Sequence, residues 1–172
     1  MDRFKRFVIT SLLLMSACGF TPIYGSHGGQ TGVVSKALST VAIENISDRN
    51  GQILRNKLID RMYIHGRPQH PTSHLAISIK STEQGLGIQK DATTTRSQVN
   101  MIATFSLRDE DGKLLHKGKA HAVASYSKLD AQYGTLASQH DAYERALGEI
   151  GEQIVNNLSL YFAEKAPQTH AP

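Results

Sequence analysis

The apolar residues of this chain change period along its length, and each period predicts a different element. Ser39 to Ile46, STVAIENI, is a short β-rich run. After it, Leu54, Leu58 and Met62 recur every four residues among Arg55, Asn56, Lys57, Asp60 and Arg61, which predicts a helix with one apolar face. Ser47 or Asp48 can start this helix and Gly66 can end it. The two prolines of Gly66 to Ser73 make a loop, and beyond it the period becomes two. Leu75, Ile77 and Ile79 alternate with Ala76, Ser78 and Lys80. Val99, Met101, Ala103, Phe105 and Leu107 alternate with Gln98, Asn100, Thr104, Ser106 and Arg108, and only Ile102 breaks the polar row. Asp111-Gly112 then signals a hairpin. The return strand, about Lys113 to Lys128, puts Ala120, Ala122, Ala124 and Tyr126 on one face and Lys117, Lys119, His121, Ser125 and Ser127 on the other. In the last element Tyr143, Leu147, Ile150, Ile154, Leu158 and Tyr161 form a stripe at 3.6 residues per turn, with Ser138 and Asp141 placed as a capping box at its start. Gly148 and Gly151 each cost this helix about 1 kcal/mol relative to alanine, so it must lean on tertiary packing.

The predicted order is β-α-β-β-β-α. Strands with one apolar row and helices with one apolar face are satisfied together in an α+β two-layer sandwich, with both helices on one face of a roughly four-stranded, mostly antiparallel sheet. That arrangement leaves the opposite face open, lined by Gln98, Asn100, Thr104, Lys117, Lys119, Ser125 and Ser127. The single domain is expected over residues 39–163, with a disordered tail over 164–172.

The N-terminus departs from this pattern. Arg3, Lys5 and Arg6 precede an apolar run, Phe7 to Met15, and then the small residues Ser16 and Ala17, which is the layout of an export signal over residues 1–17. The run is too short to span a bilayer, which needs ~20 apolar residues. Cys18, the single cysteine, follows at once, and Met15-Ser16-Ala17-Cys18 resembles a bacterial lipobox, with Met15 where leucine is usual. The resemblance implies cleavage before Cys18, a diacylglycerol and an acyl chain on it, and no other cofactor. Residues 18–38, rich in glycine, are expected to be a flexible tether.

Charge and chemistry narrow the function further. The net charge of +4 falls to +2 once Asp2, Arg3, Lys5 and Arg6 are removed, and no dense cluster of cations interleaved with aromatics marks a nucleic-acid binder. With Cys18 acylated, no disulfide can form in the mature chain. There is no G-x-S-x-G elbow, P-loop or H-E-x-x-H, so no catalytic residue is assigned. Gly85 and Gly87 follow a strand without a helix after them and predict a turn rather than a phosphate cradle. Of the eight histidines, His65, His70 and His74 cross a proline-containing loop, and His116 and His121 point to opposite faces of a strand, so no metal site is assigned. Asp109, Glu110 and Asp111 suit a solvated hairpin tip.

Cys18 followed by GFTPIYG, then DATTTRSQVNMIATFSLRDEDGKLL and a C-terminal ALGEIGEQIVNNL helix, resembles the LptE family of lipopolysaccharide-assembly lipoproteins of α-proteobacteria. The resemblance implies a noncatalytic lipoprotein anchored through its lipid to the outer membrane and facing the periplasm. Its partners would be an LptD-type β-barrel, which the family plugs and helps to assemble, and lipopolysaccharide. A polar open face suits the polar lumen of a large outer-membrane barrel. Cations beside apolar residues suit the phosphates of lipopolysaccharide, and Lys90, Arg96 and Lys128 at the strand ends are the first candidates. The alternative reading is a periplasmic lipoprotein that scaffolds or activates a cell-wall enzyme.

Overall fold

The computed structural model describes residues 30–64, 66–88, 94–128 and 131–166. Its elements are α1 (Gln30–Ser39), β1 (Val41–Ile43), α2 (Asp48–Met62), β2 (Ser73–Ile88), β3 (Thr94–Asp109), β4 (Leu114–Ser127) and α3 (Gln132–Lys165). The strands form one sheet in the order β1-β2-β3-β4, so the mixed α+β sandwich expected from the periods is the fold found. β1 pairs with β2 in parallel, as a strand-helix-strand crossover through α2 requires, and β2-β3 and β3-β4 are antiparallel.

Period two decides which side of the sheet is buried. Leu75, Val99, Met101, Ala103, Phe105, Leu107, Ala120, Ala122, Ala124 and Tyr126 all point inward and lie under the helices. From α2 come Leu54, Leu58 and Met62, and from α3 come Ala142, Ala146, Leu147, Ile150, Ile154 and Leu158. Each large aliphatic side chain taken fully from water contributes about 1.5–3 kcal/mol. The three alanines of β4 face a helix that itself presents Ala142 and Ala146, so α3 lies close over β4 and the edge of β3.

Three expectations are corrected. Gly85 and Gly87, expected in a turn, lie within β2, which pairs with β3 out to Ile88. Residues 30–38, assigned to a flexible tether, are mostly α1: Leu38 is buried and Val34 packs beside it, so this helix is held against α3 by its own apolar side. The capping box at Ser138 and Asp141 is not a helix start. α3 begins six residues earlier, at Gln132, and Ser138 Oγ donates to the Gly134 carbonyl at 2.9 Å, while Asp141 pairs with Arg145 one turn on. A serine hydroxyl satisfied by the preceding turn no longer competes as a cap, and the helix runs through it. The other boundary signals agree with the structure. Ser47 stands at the N-cap position of α2 without a side-chain cap bond, and Gly66 takes a positive φ of 100° after its end. Gly112 does the same, at 80°, in the β3-β4 turn, where its N–H donates to the Asp109 carbonyl.

Gly118 lies across from Phe105 in the β3-β4 register, and a Cβ there would stand 2.4 Å from the ring. Gly148, on α3, has nothing within 4 Å of the same position. The two glycines therefore respond oppositely to alanine. Gly118→Ala destabilises by about 1–3 kcal/mol through overpacking, whereas Gly148→Ala stabilises by up to about 1 kcal/mol through helix propensity. Urea midpoints of the two variants against the parent chain check both signs.

Candidate functional site

The face of the sheet turned away from the helices is open, and its composition is one-sided. The register places its side chains in cross-strand rows: Ala76, Ser106 and Lys117; Ser78, Thr104 and Lys119; Lys80, Ile102 and His121; Thr82, Asn100 and Val123; Gln84, Gln98 and Ser125; Leu86, Arg96 and Ser127. No carboxylate occurs in any of these rows. The acids on the strands are Glu83, which points inward, and Asp109 at the end of β3. Lys80, Lys117 and Lys119 are exposed, and no ion pair joins them to any described residue. Near the centre of the face Ile102 is 43% exposed and Val123 is 44% exposed, beside His121, whose Nε2 lies 2.8 Å from Asn100 Oδ1. Cations around a small apolar spot, with hydroxyls and amides between them, are suited to an amphipathic anion.

Among the described residues, the acids are concentrated on the helical side. Asp141, Glu144, Glu149, Glu152 and Glu164 lie on α3, and Arg61 of α2 pairs with Glu152 at 2.7 Å. The helical layer thus mixes both signs, with Arg49, Arg55, Lys57, Arg61 and Arg145 among its acids, whereas the outer rows of the sheet carry cations alone.

One end of the sheet is tied down by Glu83. Its carboxylate accepts from Tyr126 Oη at 3.0 Å, Tyr143 Oη at 2.9 Å and Gln139 Nε2 at 2.7 Å, joining β2, β4 and α3. Burial pushes the Glu83 carboxyl up, but the three donors and nearby Lys128 outweigh it and hold the group below its ordinary value of 4.5. Burial and the Glu83 charge push both tyrosines up.

The structure brings two of the candidate lipid-binding residues together. Arg96 pairs across from Ser127, the residue before Lys128, so both cations stand at the end of the sheet that Glu83 organises, and both are exposed. Lys90 and Cys18 lie outside the described residues. The inward His116 is not a surface group: its ring stacks on Tyr161 at 4.8 Å and its Nε2 lies 2.6 Å from Asn157 Oδ1. Among the described residues, no three His, Cys, Asp or Glu side chains converge as metal ligands, and no helix is long and apolar enough to cross a membrane. A cleft of about 450 Å³ between the start of α2 and the first turns of α3, lined by Arg49, Ile53, Leu136, His140 and Tyr143, holds no nucleophile paired with a base. Sequence reasoning named Lys117 and Lys119 as lining residues but did not see Lys80 beside them. The β2-β3 register was the missing piece, although the parity of Lys80 opposite Ile79 carried the signal.

A family model described as LptE, Lipopolysaccharide-assembly, matches residues 38–158, well over half of the chain. The chain belongs to the LptE family. Among solved structures it is similar to a protein from Caulobacter crescentus CB15 described as a lipoprotein, with 26% identity, 78% of this chain and 98% of that one covered, and a TM-score of 0.64. Lipoprotein B from Nitrosomonas europaea shares the fold at 15% identity, with 77% and 95% covered and a TM-score of 0.53. A minor lipoprotein from Acinetobacter baumannii does so at 15%, with 70% and 90% covered and a TM-score of 0.51. None of the curated proteins matches the sequence significantly. The LptE family is a noncatalytic family of lipopolysaccharide-assembly lipoproteins.

The Glu83 cluster generates a test of how this end of the LptE fold is held. A carboxyl held low in the folded state stabilises the protein fully above its unfolded value, and that contribution is lost as pH falls through the folded value. Glu83→Gln should therefore destabilise by about 1 kcal/mol near neutral pH, a figure discounted for the group's exposure. The gap to the parent should narrow in urea titrations taken from about pH 7 down to about pH 3.

Proposed function

We propose that this LptE-family chain is an outer-membrane lipoprotein that binds lipopolysaccharide on its open sheet face and seats in, and assists the assembly of, an LptD-type β-barrel. Residues 1–17 are its export signal, Cys18 its lipid anchor, and the domain from α1 to α3 faces the periplasm. The observation that carries the reading is the open face free of carboxylates, with Lys80 in line with the exposed Ile102, and Lys119 and Lys117 in the next two rows on β4. Phosphates pair with the ammonium groups, and acyl or sugar surface lies against the apolar spot. Arg96 extends the same positive surface to the end of the sheet, and Lys128 stands at that end beside Glu83. The amides and hydroxyls between these cations also suit the hydrogen-bonding lumen of a large barrel. The family match supports lipopolysaccharide assembly, and the lack of acids on the outer rows, where the helices mix both signs, supports the assignment of the lipid to the sheet.

Lys117→Glu with Lys119→Glu should weaken binding to lipopolysaccharide roughly tenfold, the loss expected for two charge-assisted contacts, with an unchanged circular dichroism spectrum. Equal affinity in the double variant overturns the assignment of the face. Arg96→Glu with Lys128→Glu tests the end of the sheet in the same assay.

Anchoring and partner are tested separately. Cys18→Ala should abolish labelling by a radioactive fatty acid and release the protein from membranes. Purification of the full chain from gently solubilised membranes should bring down a large β-barrel, and recovery of a peptidoglycan enzyme alone would favour the scaffold reading.

A further inference from the structure

Backbone groups at the outer strands of a sheet invite pairing with other chains, and proteins usually cover them. Here side chains cover parts of both outer strands, and a long stretch of β2 is left without such cover. On β4, Gln153 of α3 mimics a strand: its Oε1 accepts from the His121 N–H at 3.0 Å and its Nε2 donates to the His121 carbonyl at 2.9 Å. Arg145 donates to the Ser125 carbonyl at 3.1 Å on the same edge. On β1, Tyr63 Oη accepts from the Ile43 N–H at 3.2 Å and donates to the Val41 carbonyl at 2.6 Å, and Arg55 reaches the Ile43 and Glu44 carbonyls.

β2 has no such cover over most of its length. β1 pairs only with Ser73, His74 and Leu75, and the Glu44 N–H adds a last bond to the Leu75 carbonyl before the chain turns away into α2. Beyond that point Ile77, Ile79, Ser81, Glu83 and Gly85 share the parity of Leu75, so their N–H and C=O groups face the lane that β1 has left. Among the described residues no hydrogen bond reaches the edge-facing groups of Ile77, Ile79 or Ser81. A groove of about 260 Å³ runs beside the first part of this stretch, with Asn45 and Ser47 of the β1-α2 turn and Asp48 and Asn50 at the start of α2 as its other wall.

We propose that the β2 edge from Ile77 to Gly85 is a strand-addition site that takes an extended acidic segment of a partner protein as a further strand of the sheet. Side chains of an added strand alternate between the groove and the open face. On the groove side they meet Ile77, Ile79 and Ser81 of β2 and, opposite, Ile46, Ser47 and Asp48, which fits short uncharged side chains. On the open side they lie beside Lys80, with Ser78, Thr82 and Gln84 around it and no carboxylate in reach, which fits Asp or Glu. A second copy of this chain is the wrong occupant, because its own open face would bring Lys80 and no acid to the seam. The site shares Lys80 with the lipid assignment, but its backbone edge is its own and the lipid variants change only Lys117 and Lys119, so either can fail without the other.

The test uses the full chain in detergent micelles and two capped peptides of about nine residues, one alternating Glu with Thr and one alternating Lys with Thr, read by amide hydrogen exchange. At ten times its dissociation constant the Glu peptide should slow exchange about tenfold at Ile77, Ile79 and Ser81, and leave β4 unchanged. The Lys peptide should give no protection. Ser81→Pro removes one edge-facing donor without touching the β2-β3 ladder; it should weaken the Glu peptide roughly tenfold while the melting temperature of the β3-β4 region holds. No protection by the Glu peptide, equal protection by both peptides, or protection centred on Lys117 and Lys119 overturns the proposal. So does slow exchange at these amides before any peptide is added, whether from self-association or from the chain's own N-terminal residues.

Discussion

One-sided burial of the sheet is the constraint on which the rest of the molecule depends. The inward rows of β3 and β4 supply a continuous apolar surface, from Leu107 through Phe105, Ala103, Met101 and Val99 and across to Ala120, Ala122 and Ala124, and two helices suffice to cover it. The alanines set how closely α3 can lie, and Gly118 leaves room for the Phe105 ring where a side chain would collide. With the helices committed to one layer, the outer layer has no covering element. Its side chains must be stable in water, and their identity is then free to serve recognition.

The use made of that freedom is seen in the charges. Five helical acids of α3 and the Arg61–Glu152 pair lie in the helical layer, whereas Lys80, Lys117 and Lys119 stand on the sheet face with no described carboxylate to neutralise them. An ordinary solvated surface mixes both signs. A face that keeps one sign across three strands concentrates its potential where long anionic ligands can meet several cations at once. The same economy of covering elements leaves the sheet edges to side chains. Gln153, Arg145, Tyr63 and Arg55 reach edge groups of β4 and β1 because α3 and α2 pass near those strands, whereas beside the middle of β2 the first turn of α2 stands across a groove.

Much of this was legible in the sequence where periodicity is strong. The alternation from Val99 to Leu107, the Asp111-Gly112 turn and the stripe from Leu147 to Leu158 each predicted an element that the structure contains, because an apolar row has few ways to leave water. The errors fell where the signal was local and weak. Ser138 and Asp141 have the form of a cap, but a cap forms only where the chain enters the helix, and the entry at Gln132 lies upstream. α1 was missed because Gly32 and the preceding glycines mask a turn whose apolar residues, Val34 and Leu38, number too few to show a period.

The sequence by itself determined the layers: period two and period 3.6 state which side chains must be buried, and burial of apolar surface is strong enough to impose that choice wherever the chain folds. It also determined the parity of every strand residue, hence the absence of acids on the outer rows. Tertiary structure alone decided which strands are neighbours, and so that Lys80 stands in line with Ile102 and His121, that Arg96 meets the end of β4, and that Glu83 finds Tyr126, Tyr143 and Gln139 from two other elements. Those contacts join residues far apart in sequence, and no local pattern encodes the register that brings them together.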